Sequence, residues 1–203
     1  MSKNSKAYMP TFMLIAVNVA VYGYTCFLSG DLTMSEAVGQ NYGQYNLAVF
    51  NGEVWRLFTA MFIHADIAHI VGNMLFLLIF GLRSEKLFDL KEYFLIYFLS
   101  GLAGGFLTLF LGPNMLSVGA SGAIFGMIGA STIYARRAIG QSIVTALLYS
   151  FFLLIINISQ NVNVFAHLGG LIAGLLIGYM LATTRKPRQI VTYEYSYPSS
   201  YGT

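Results

Sequence analysis

The sequence predicts an all-α polytopic membrane protein, a bundle of six transmembrane helices with an interfacial loop after the first helix. Of its 203 residues, 57% are hydrophobic and 9% are charged, which are not the proportions of a soluble globular domain. Several apolar runs also approach the roughly 20 residues that a helix needs to cross a bilayer. The candidate spans are residues 9–28, 67–82, 92–112, 121–136, 141–159 and 166–184.

The first span follows a short basic segment, residues 1–8. A secretory signal begins in the same way, but this apolar run is long and no small-residue cleavage site follows it, which favours a retained helix. If the N-terminus is cytoplasmic, all of the 11 Lys and Arg except Arg56 fall on the inner side. The positive-inside rule therefore predicts that both termini are cytoplasmic. Residues 9–184 form the membrane domain, and residues 185–203 are expected to be a disordered cytoplasmic tail.

Residues 29–66 form a long outer loop between the first two spans. Its second half is amphipathic and contains the only tryptophan, Trp55, next to Arg56. Such a segment is expected to lie in the membrane interface. One interpretation of the pair is an interfacial anchor, with the ring at the lipid headgroups and the guanidinium on phosphate.

Four polar side chains are predicted to lie at similar depth in the outer half of the membrane. Their depth can be counted from the arginine at the inner boundary of each span, at a rise of about 1.5 Å per residue. The heights above that boundary are about 22 Å for Ser121, about 27 Å for His167, about 21 Å for His69 and about 15 Å for Asn73. Polar groups in hydrocarbon are costly unless they find partners. A shared polar site explains all four.

The chemistry of this set is that of a serine nucleophile. His69 and Asn73 are four residues apart and share one helix face, so both can donate hydrogen bonds towards a common point. A histidine base and two donors can activate a serine and hold an oxyanion, which indicates a Ser–His dyad. Ser121 would begin the fourth helix, where backbone N–H groups are free, and Gly119 and Gly122 would permit a tight turn and the close approach of a substrate backbone.

Other interpretations remain open on these residues alone. A serine among glycines is also typical of helix packing, and Gly170, Gly174 and Gly178 indicate a close helix contact of that kind. An intramembrane histidine can relay protons, and His64 and His69 with Asp66 between them form a weak candidate metal site. No metal or cofactor is expected, and the single cysteine allows no intrachain disulfide. The net charge of +3 indicates orientation and lipid affinity and not nucleic-acid binding.

Taken together and in this order, the motifs resemble the rhomboid intramembrane serine proteases in their minimal six-span form. The resemblance covers residues from about 10 to 184. The residues that carry it are Trp55-Arg56, the His64, His69 and Asn73 series in "HADIAHIVGN", Ser121 in "GASG", and His167, Gly170 and Gly174 in "AHLGGLIAG".

The resemblance implies a role for each matching residue. Ser121 would be the nucleophile and His167 the general base and then acid. His69, Asn73 and the Ser121 backbone N–H would bind the oxyanion, and Gly119 would shape the substrate-facing loop.

The remaining matches imply structural roles. Besides Trp55 and Arg56, His64 occupies the position of the family's first histidine, and Glu85 that of a residue that stabilises inner-side contacts. Phe125 is a departure, because many relatives have a tyrosine there that packs on the catalytic histidine. Ring stacking is expected to survive, while any role of the hydroxyl is lost and rates are expected to differ.

The function expected from the sequence is peptide-bond hydrolysis in the transmembrane segments of other membrane proteins. The site would open to the outer side of a plasma membrane, and a short chain without a presequence suits a prokaryotic one. The competing class is a non-catalytic membrane-protein binder or a small transporter.

Overall fold

The computed structural model describes residues 9–138 and 163–184, together with the isolated positions 142, 144 and 148. Nearly all regular structure in this part of the chain is helical. The α-helices are α1 (Met9–Ser29), α2 (Glu36–Tyr42), α3 (Asn46–Phe50), α4 (Arg56–Thr59), α5 (Ile67–Leu87), α6 (Leu90–Thr108), α7 (Ser121–Ala138) and α8 (Val164–Thr184), and Ala60–Phe62 and Leu109–Leu111 are 3₁₀ turns. Two short strands, β1 (Gln44–Tyr45) and β2 (Leu116–Ser117), complete the set.

The two long helices that follow the outer loop begin at side-chain caps. At the start of α5, the Asp66 carboxylate accepts a hydrogen bond of 2.8 Å from the His69 backbone N–H. At the start of α6, Asp89 and Glu92 form a capping box, in which each carboxylate accepts from the other residue's backbone N–H. These caps satisfy N–H groups that have no acceptor within the helix.

The outer loop is joined to the loop that precedes α7. Strands β1 and β2 pair antiparallel, with Gln44 opposite Ser117 and Tyr45 opposite Leu116. The Gly119 N–H adds a hydrogen bond of 2.9 Å to the Ala60 carbonyl. The outer loop therefore holds the backbone that leads directly into Ser121.

The outer loop also presents apolar side chains on its surface, as a segment lying in the membrane interface must. Its location in the interface stays a prediction. In the second half of the loop, the exposed large apolar residues are Leu47, Phe50, Val54, Trp55 and Phe58.

Helix α7 is the centre of the bundle, and it packs against α5, α6 and α8. Every residue from Gly122 to Ile133 is buried. Ser131, on the α5 side, shares a hydrogen bond of 2.8 Å with Ser84. The small and polar composition of α7 is possible because neighbouring helices, and not lipid, surround this stretch.

Glycines bring α8 into backbone contact with its neighbours. A Cβ added at Gly170, Gly174 or Gly178 would meet a backbone carbonyl of α7, and one added at Gly169 would lie 2.7 Å from the Ala103 carbonyl oxygen of α6. Without side chains at these positions, the helix backbones can approach more closely than is usual. The α7–α8 contacts pair Gly122 with Gly170, Gly126 with Gly174 and Ala130 with Gly178.

Glu85 lies in a polar contact near the end of the bundle opposite Ser121. Its carboxylate accepts a hydrogen bond of 2.9 Å from the Thr11 backbone N–H at the start of α1. The Thr11 hydroxyl in turn shares a hydrogen bond of 2.9 Å with the Tyr93 hydroxyl of α6. These contacts join α1, α5 and α6.

The structure confirms the predicted fold class, an all-α membrane bundle. Helices occupy five of the six predicted spans, and four of them, α1, α5, α6 and α8, are long and apolar enough to cross a membrane. Apart from positions 142, 144 and 148, the predicted span at 141–159 lies outside the described residues, as do the two terminal segments, 1–8 and 185–203. The count of six therefore stays a prediction.

The α7–α8 contact generates a stability prediction with a matched control. Gly174→Ala forces a Cβ against the Gly126 backbone, and overpacking of this kind costs about 1–3 kcal/mol. Gly23→Ala places its Cβ on exposed α1, where no described atom lies within 4 Å, and alanine raises helix propensity by about 1 kcal/mol. Thermal unfolding in detergent micelles should show a lower Tm for Gly174→Ala and an unchanged or higher Tm for Gly23→Ala. Equal Tm values for the two variants would contradict the close contact.

Candidate active site

The candidate catalytic residues line one cavity. Its volume is about 730 Å³, and its walls come from the outer loop, α5, the loop before α7, and the first turns of α7 and α8. All five residues predicted from the sequence to act directly on a substrate contribute to these walls. They are His69, Asn73, Gly119, Ser121 and His167.

Ser121 is the first residue of α7. Gly119, two residues earlier, has φ of +120°, a backbone conformation that side chains other than glycine rarely adopt. The chain turns sharply there and delivers Ser121 to the cavity wall. The backbone N–H groups of the first helical turn have no acceptor within the helix, so they are available to a negatively charged oxygen near Ser121.

His167 lies on the first turn of α8 and is 6% exposed. Its ring stacks on Phe125, with 4.4 Å between the ring centroids and 24° between the ring planes. Phe125 is one turn beyond Ser121 on α7, so the same helix carries the serine and supports the histidine ring. Among the described residues no hydrogen bond joins the Ser121 hydroxyl to His167, and such bonds commonly tighten only when a substrate is bound.

His69 faces Ser121 across Gly119. A Cβ built on Gly119 would lie 2.8 Å from His69 Nε2 and 4.0 Å from Ser121 Oγ. His69 Nδ1 accepts a long hydrogen bond, 3.4 Å, from the Ala65 N–H. A neutral ring that accepts at Nδ1 carries its proton on Nε2, so the His69 N–H points to the side of the cavity where Ser121 lies.

Asn73 lies one turn further along α5. Its Nδ2 donates a hydrogen bond of 2.9 Å to the His69 carbonyl, and this uses one of the two N–H groups of the amide. The second N–H is available to a ligand in the cavity. The amide therefore lies on the same side of the site as His69.

Comparison with known proteins places this chain in a family. The model of the Rhomboid domain matches residues 51–184, which is more than half of the chain and includes every residue of the cavity named so far. The chain belongs to the rhomboid family. Its helices and this membership make it a multi-pass membrane protein.

Individual rhomboid relatives support the membership. RHOMBOID-like protein 1 of Arabidopsis thaliana is 38% identical over 147 residues, which are 66% of this chain and 36% of the relative. RHOMBOID-like protein 6, mitochondrial, of the same plant is 41% identical over 139 residues, 66% of this chain and 45% of the relative. Rhomboid-like protease 3 of Toxoplasma gondii is 32% identical over 176 residues, 81% of this chain and 66% of the relative. The chain thus spans between about a third and two thirds of the length of these proteins.

The guanidinium of Arg56 in this rhomboid differs from the anchor interpretation, whereas the Trp55 ring is exposed as that interpretation expects. Arg56 is only 6% exposed, and its Nη1 donates to the carbonyls of Gln40 at 2.6 Å and Gly43 at 3.1 Å. Its Nε donates to Glu53, and its Cζ lies 4.7 Å from the centre of the Trp55 ring. The guanidinium is turned inward, where it ties the outer loop together, and not outward to lipid phosphate.

His64 does not line the cavity. It is fully buried behind His69, with the two rings edge to face at a centroid distance of 5.2 Å, and its Nδ1 lies 3.3 Å from the Phe62 carbonyl. Burial, with a smaller contribution from His69, lowers the pKa of His64 to about 4. His64 is therefore a neutral ring at physiological pH that supports His69.

The weak metal site suggested by His64, His69 and Asp66 does not form. Asp66 is occupied as the cap of α5. Within residues 9–138 and 163–184, no three His, Cys, Asp or Glu side chains are grouped as metal ligands.

Sequence reasoning missed Asn163. Its side chain lines the cavity and bonds to the end of α6, to β2 and to the first turn of α8. An asparagine immediately before an apolar helical run is a recognisable N-cap, so a capping search would have found part of this role. Its bonds to the other two segments need the three-dimensional structure.

The burial of His64 generates a prediction about pH. The pKa of His64 in the folded chain lies below the ordinary value of 6.5, so between these two pH values the unfolded chain binds a proton that the folded chain does not. The free energy of unfolding therefore falls as the pH falls from about 6.5 to 4. The loss attributable to this one group is up to about 3 kcal/mol. In detergent micelles the Tm of the wild type should drop between pH 7.5 and pH 5 by more than that of His64→Gln. An equal drop in both proteins would refute a buried neutral His64.

Proposed function

We propose that this rhomboid is an intramembrane serine endopeptidase that cleaves transmembrane segments of other membrane proteins through a Ser121–His167 dyad. The observation that carries the proposal is that a serine, two histidines and an amide from three separate helices line a single cavity. Membership of a family that includes a relative named as a protease supports it.

The chemistry follows from the position of each group. His167 accepts the proton of the Ser121 hydroxyl while the oxygen attacks the carbonyl carbon of the scissile bond. The carbonyl π electrons move onto the oxygen, and the resulting oxyanion accepts hydrogen bonds from His69 Nε2, Asn73 Nδ2 and the Ser121 backbone N–H.

Collapse of this intermediate expels the amine, to which His167 returns the proton, and leaves an acyl group on Ser121. Water then attacks the acyl carbon with His167 again as the base, which releases the second product and regenerates the serine.

A dyad without a carboxylate needs another way to orient its base. The only carboxylate in the cavity wall among the described residues is Asp66, and it caps α5. Phe125 supplies orientation by stacking on the His167 ring. Because a phenyl ring has no hydroxyl, this support rests on dispersion and ring electrostatics alone.

The predicted depth of the cavity in the membrane supports the proposed substrate class. A peptide bond within a transmembrane helix is shielded by its own hydrogen bonds, so helix-weakening residues near the cleavage point should favour reaction. The distribution of Lys and Arg supports a plasma-membrane orientation with both termini cytoplasmic and the cavity open to the outer side. The alternative is a non-catalytic binder that uses the same cavity to hold a transmembrane client.

The first test of the proposal is labelling of the detergent-solubilised protein with a fluorophosphonate probe. Wild type should be labelled, and Ser121→Ala and His167→Ala should not, because only a serine activated by its base attacks the probe at a useful rate. Ser131→Ala is the matched control, since Ser131 lies on the same helix but bonds to Ser84, away from the cavity. It should be labelled like wild type.

Cleavage of a model transmembrane substrate should follow the same pattern, with kcat lowered at least about 1,000-fold in both dyad variants. Equal labelling and cleavage in wild type and Ser121→Ala would end the proposal. A folded wild type that neither labels nor cleaves would favour the non-catalytic binder.

The conformation of Gly119 generates a further prediction. Gly119→Ala places a Cβ against the His69 ring, so kcat should fall about 100-fold. Gly112→Ala is the control, because Gly112 also has positive φ, +93°, but has no described atom within 4 Å of an added Cβ. Both variants should lose similar stability from backbone strain, and only Gly119→Ala should lose most of its activity. Equal activity in the two variants would show that His69 is not displaced.

A further inference from the structure

One side-chain amide, that of Asn163, connects the segments that carry the two dyad residues. Its Nδ2 donates hydrogen bonds of 2.8 Å to both the Thr108 hydroxyl at the end of α6 and the Ser117 hydroxyl in β2. Its Oδ1 accepts a hydrogen bond of 3.1 Å from the Ala166 backbone N–H. Both N–H groups of the amide are therefore used, together with its carbonyl oxygen.

The carbonyl side of this amide sets the start of α8. Asn163 is the N-cap of α8. Its side chain accepts from the N–H of Ala166, the third residue of the helix, and this is the usual geometry of an N-cap. The Asn163 main-chain carbonyl also accepts from the His167 N–H at 3.3 Å. The first turn of α8, which ends at His167, is thus closed on Asn163 from both its side chain and its backbone.

The donor side of the amide holds the segment that leads to the nucleophile. Ser117 precedes Ser121 by four residues, and between them lies the turn at Gly119. Thr108 is itself anchored, since its hydroxyl donates to the Gly104 carbonyl at 2.9 Å. The amide therefore lies between the end of α6, the backbone before Ser121 and the turn that carries His167.

His167 has few other restraints. Among the described residues no side-chain hydrogen bond reaches its ring, and the Phe125 stacking fixes the plane of the ring while permitting the ring to slide within that plane. The position of the imidazole nitrogens along that plane must come from the α8 backbone. The backbone there is held by Asn163.

We infer that Asn163 is a positioning residue that sets the separation of Ser121 and His167 by bonding simultaneously to Ser117, Thr108 and the first turn of α8. This inference rests on the proposed function, because the dyad whose geometry it sets is part of that proposal. Asn163 acts through His167 and takes no part in the chemistry itself.

Variants can separate this role from simple capping. Serine is as good an N-cap as asparagine, but its shorter side chain cannot also reach the hydroxyls of Thr108 and Ser117. Asn163→Ser therefore keeps the cap and removes the connection. Ser117→Ala removes one acceptor of the connection and leaves the cap intact.

The experiment is steady-state cleavage of a model transmembrane substrate, with Tm measured on the same preparations. Asn163→Ser should lower kcat about 10-fold to 100-fold, with KM within about twofold of wild type and little change in Tm, since a misplaced base slows the chemical step. Ser117→Ala should lower kcat in the same direction. The double variant should be no slower than Asn163→Ser, because both changes remove one shared interaction.

Asp89→Ala is the control for loss of a cap in general. Asp89 caps α6 at the end of the bundle away from the cavity, so its variant should lose Tm and keep kcat. If Asn163→Ser cleaves at the wild-type rate, the positioning role is wrong while the proposed function stands. The same conclusion follows if the loss of kcat is proportional to the loss of Tm, with the same proportion in Asn163→Ser and Asp89→Ala. A wild type no more active than Ser121→Ala would overturn the proposed function and this inference together.

Discussion

The backbones of α7 and α8 touch at three successive turns, and the rest of the site depends on this contact. Gly122, Gly126 and Ala130 face Gly170, Gly174 and Gly178, so carbonyl oxygens and not side chains determine how far apart the helices lie. Ser121 precedes Gly122 by one residue, and His167 precedes Gly170 by three. Their depth and separation are consequences of the contact, and so is the stacking of Phe125 on the histidine ring.

Around this contact, side-chain amides hold the outer end of the bundle. Gln44 donates to Asn46 and to the Gly105 carbonyl, and Asn46 donates to the carbonyls of Thr108 and Gly112. Buried amides of this kind are costly unless they are bonded, and three of these four bonds join segments far apart in sequence. The outer loop therefore contributes to the rigidity of the cavity although it supplies none of the proposed catalytic groups.

Sequence reasoning succeeded where a single helix carries the information. Hydropathy and helical rise located the helices, the four-residue spacing placed His69 and Asn73 on one face, and the glycines of α8 indicated a close contact. It ended α5 at residue 82, whereas the helix continues to Leu87, because backbone hydrogen bonding persists into the charged boundary where hydropathy stops. It did not find the β1–β2 pairing, the inward guanidinium of Arg56 or the bonds of Asn163, since each joins residues distant in sequence through polar groups that have no periodicity.

The burial of α7 has a consequence for how the protein is made. Among the described residues, α7 is not one of the four helices that are long and apolar enough to cross a membrane. It is rich in glycine, serine and threonine, and its last turn carries Arg136 and Arg137. Such a segment gains little free energy when it is transferred by itself from water to the bilayer, so it depends on partner helices to enter the membrane. Two of the helices that enclose it, α5 and α6, precede it in the chain and are synthesised first. The order of elements along the chain thus makes a packing surface, formed by α5 and α6, available to the helix that bears Ser121 before that helix emerges from the ribosome.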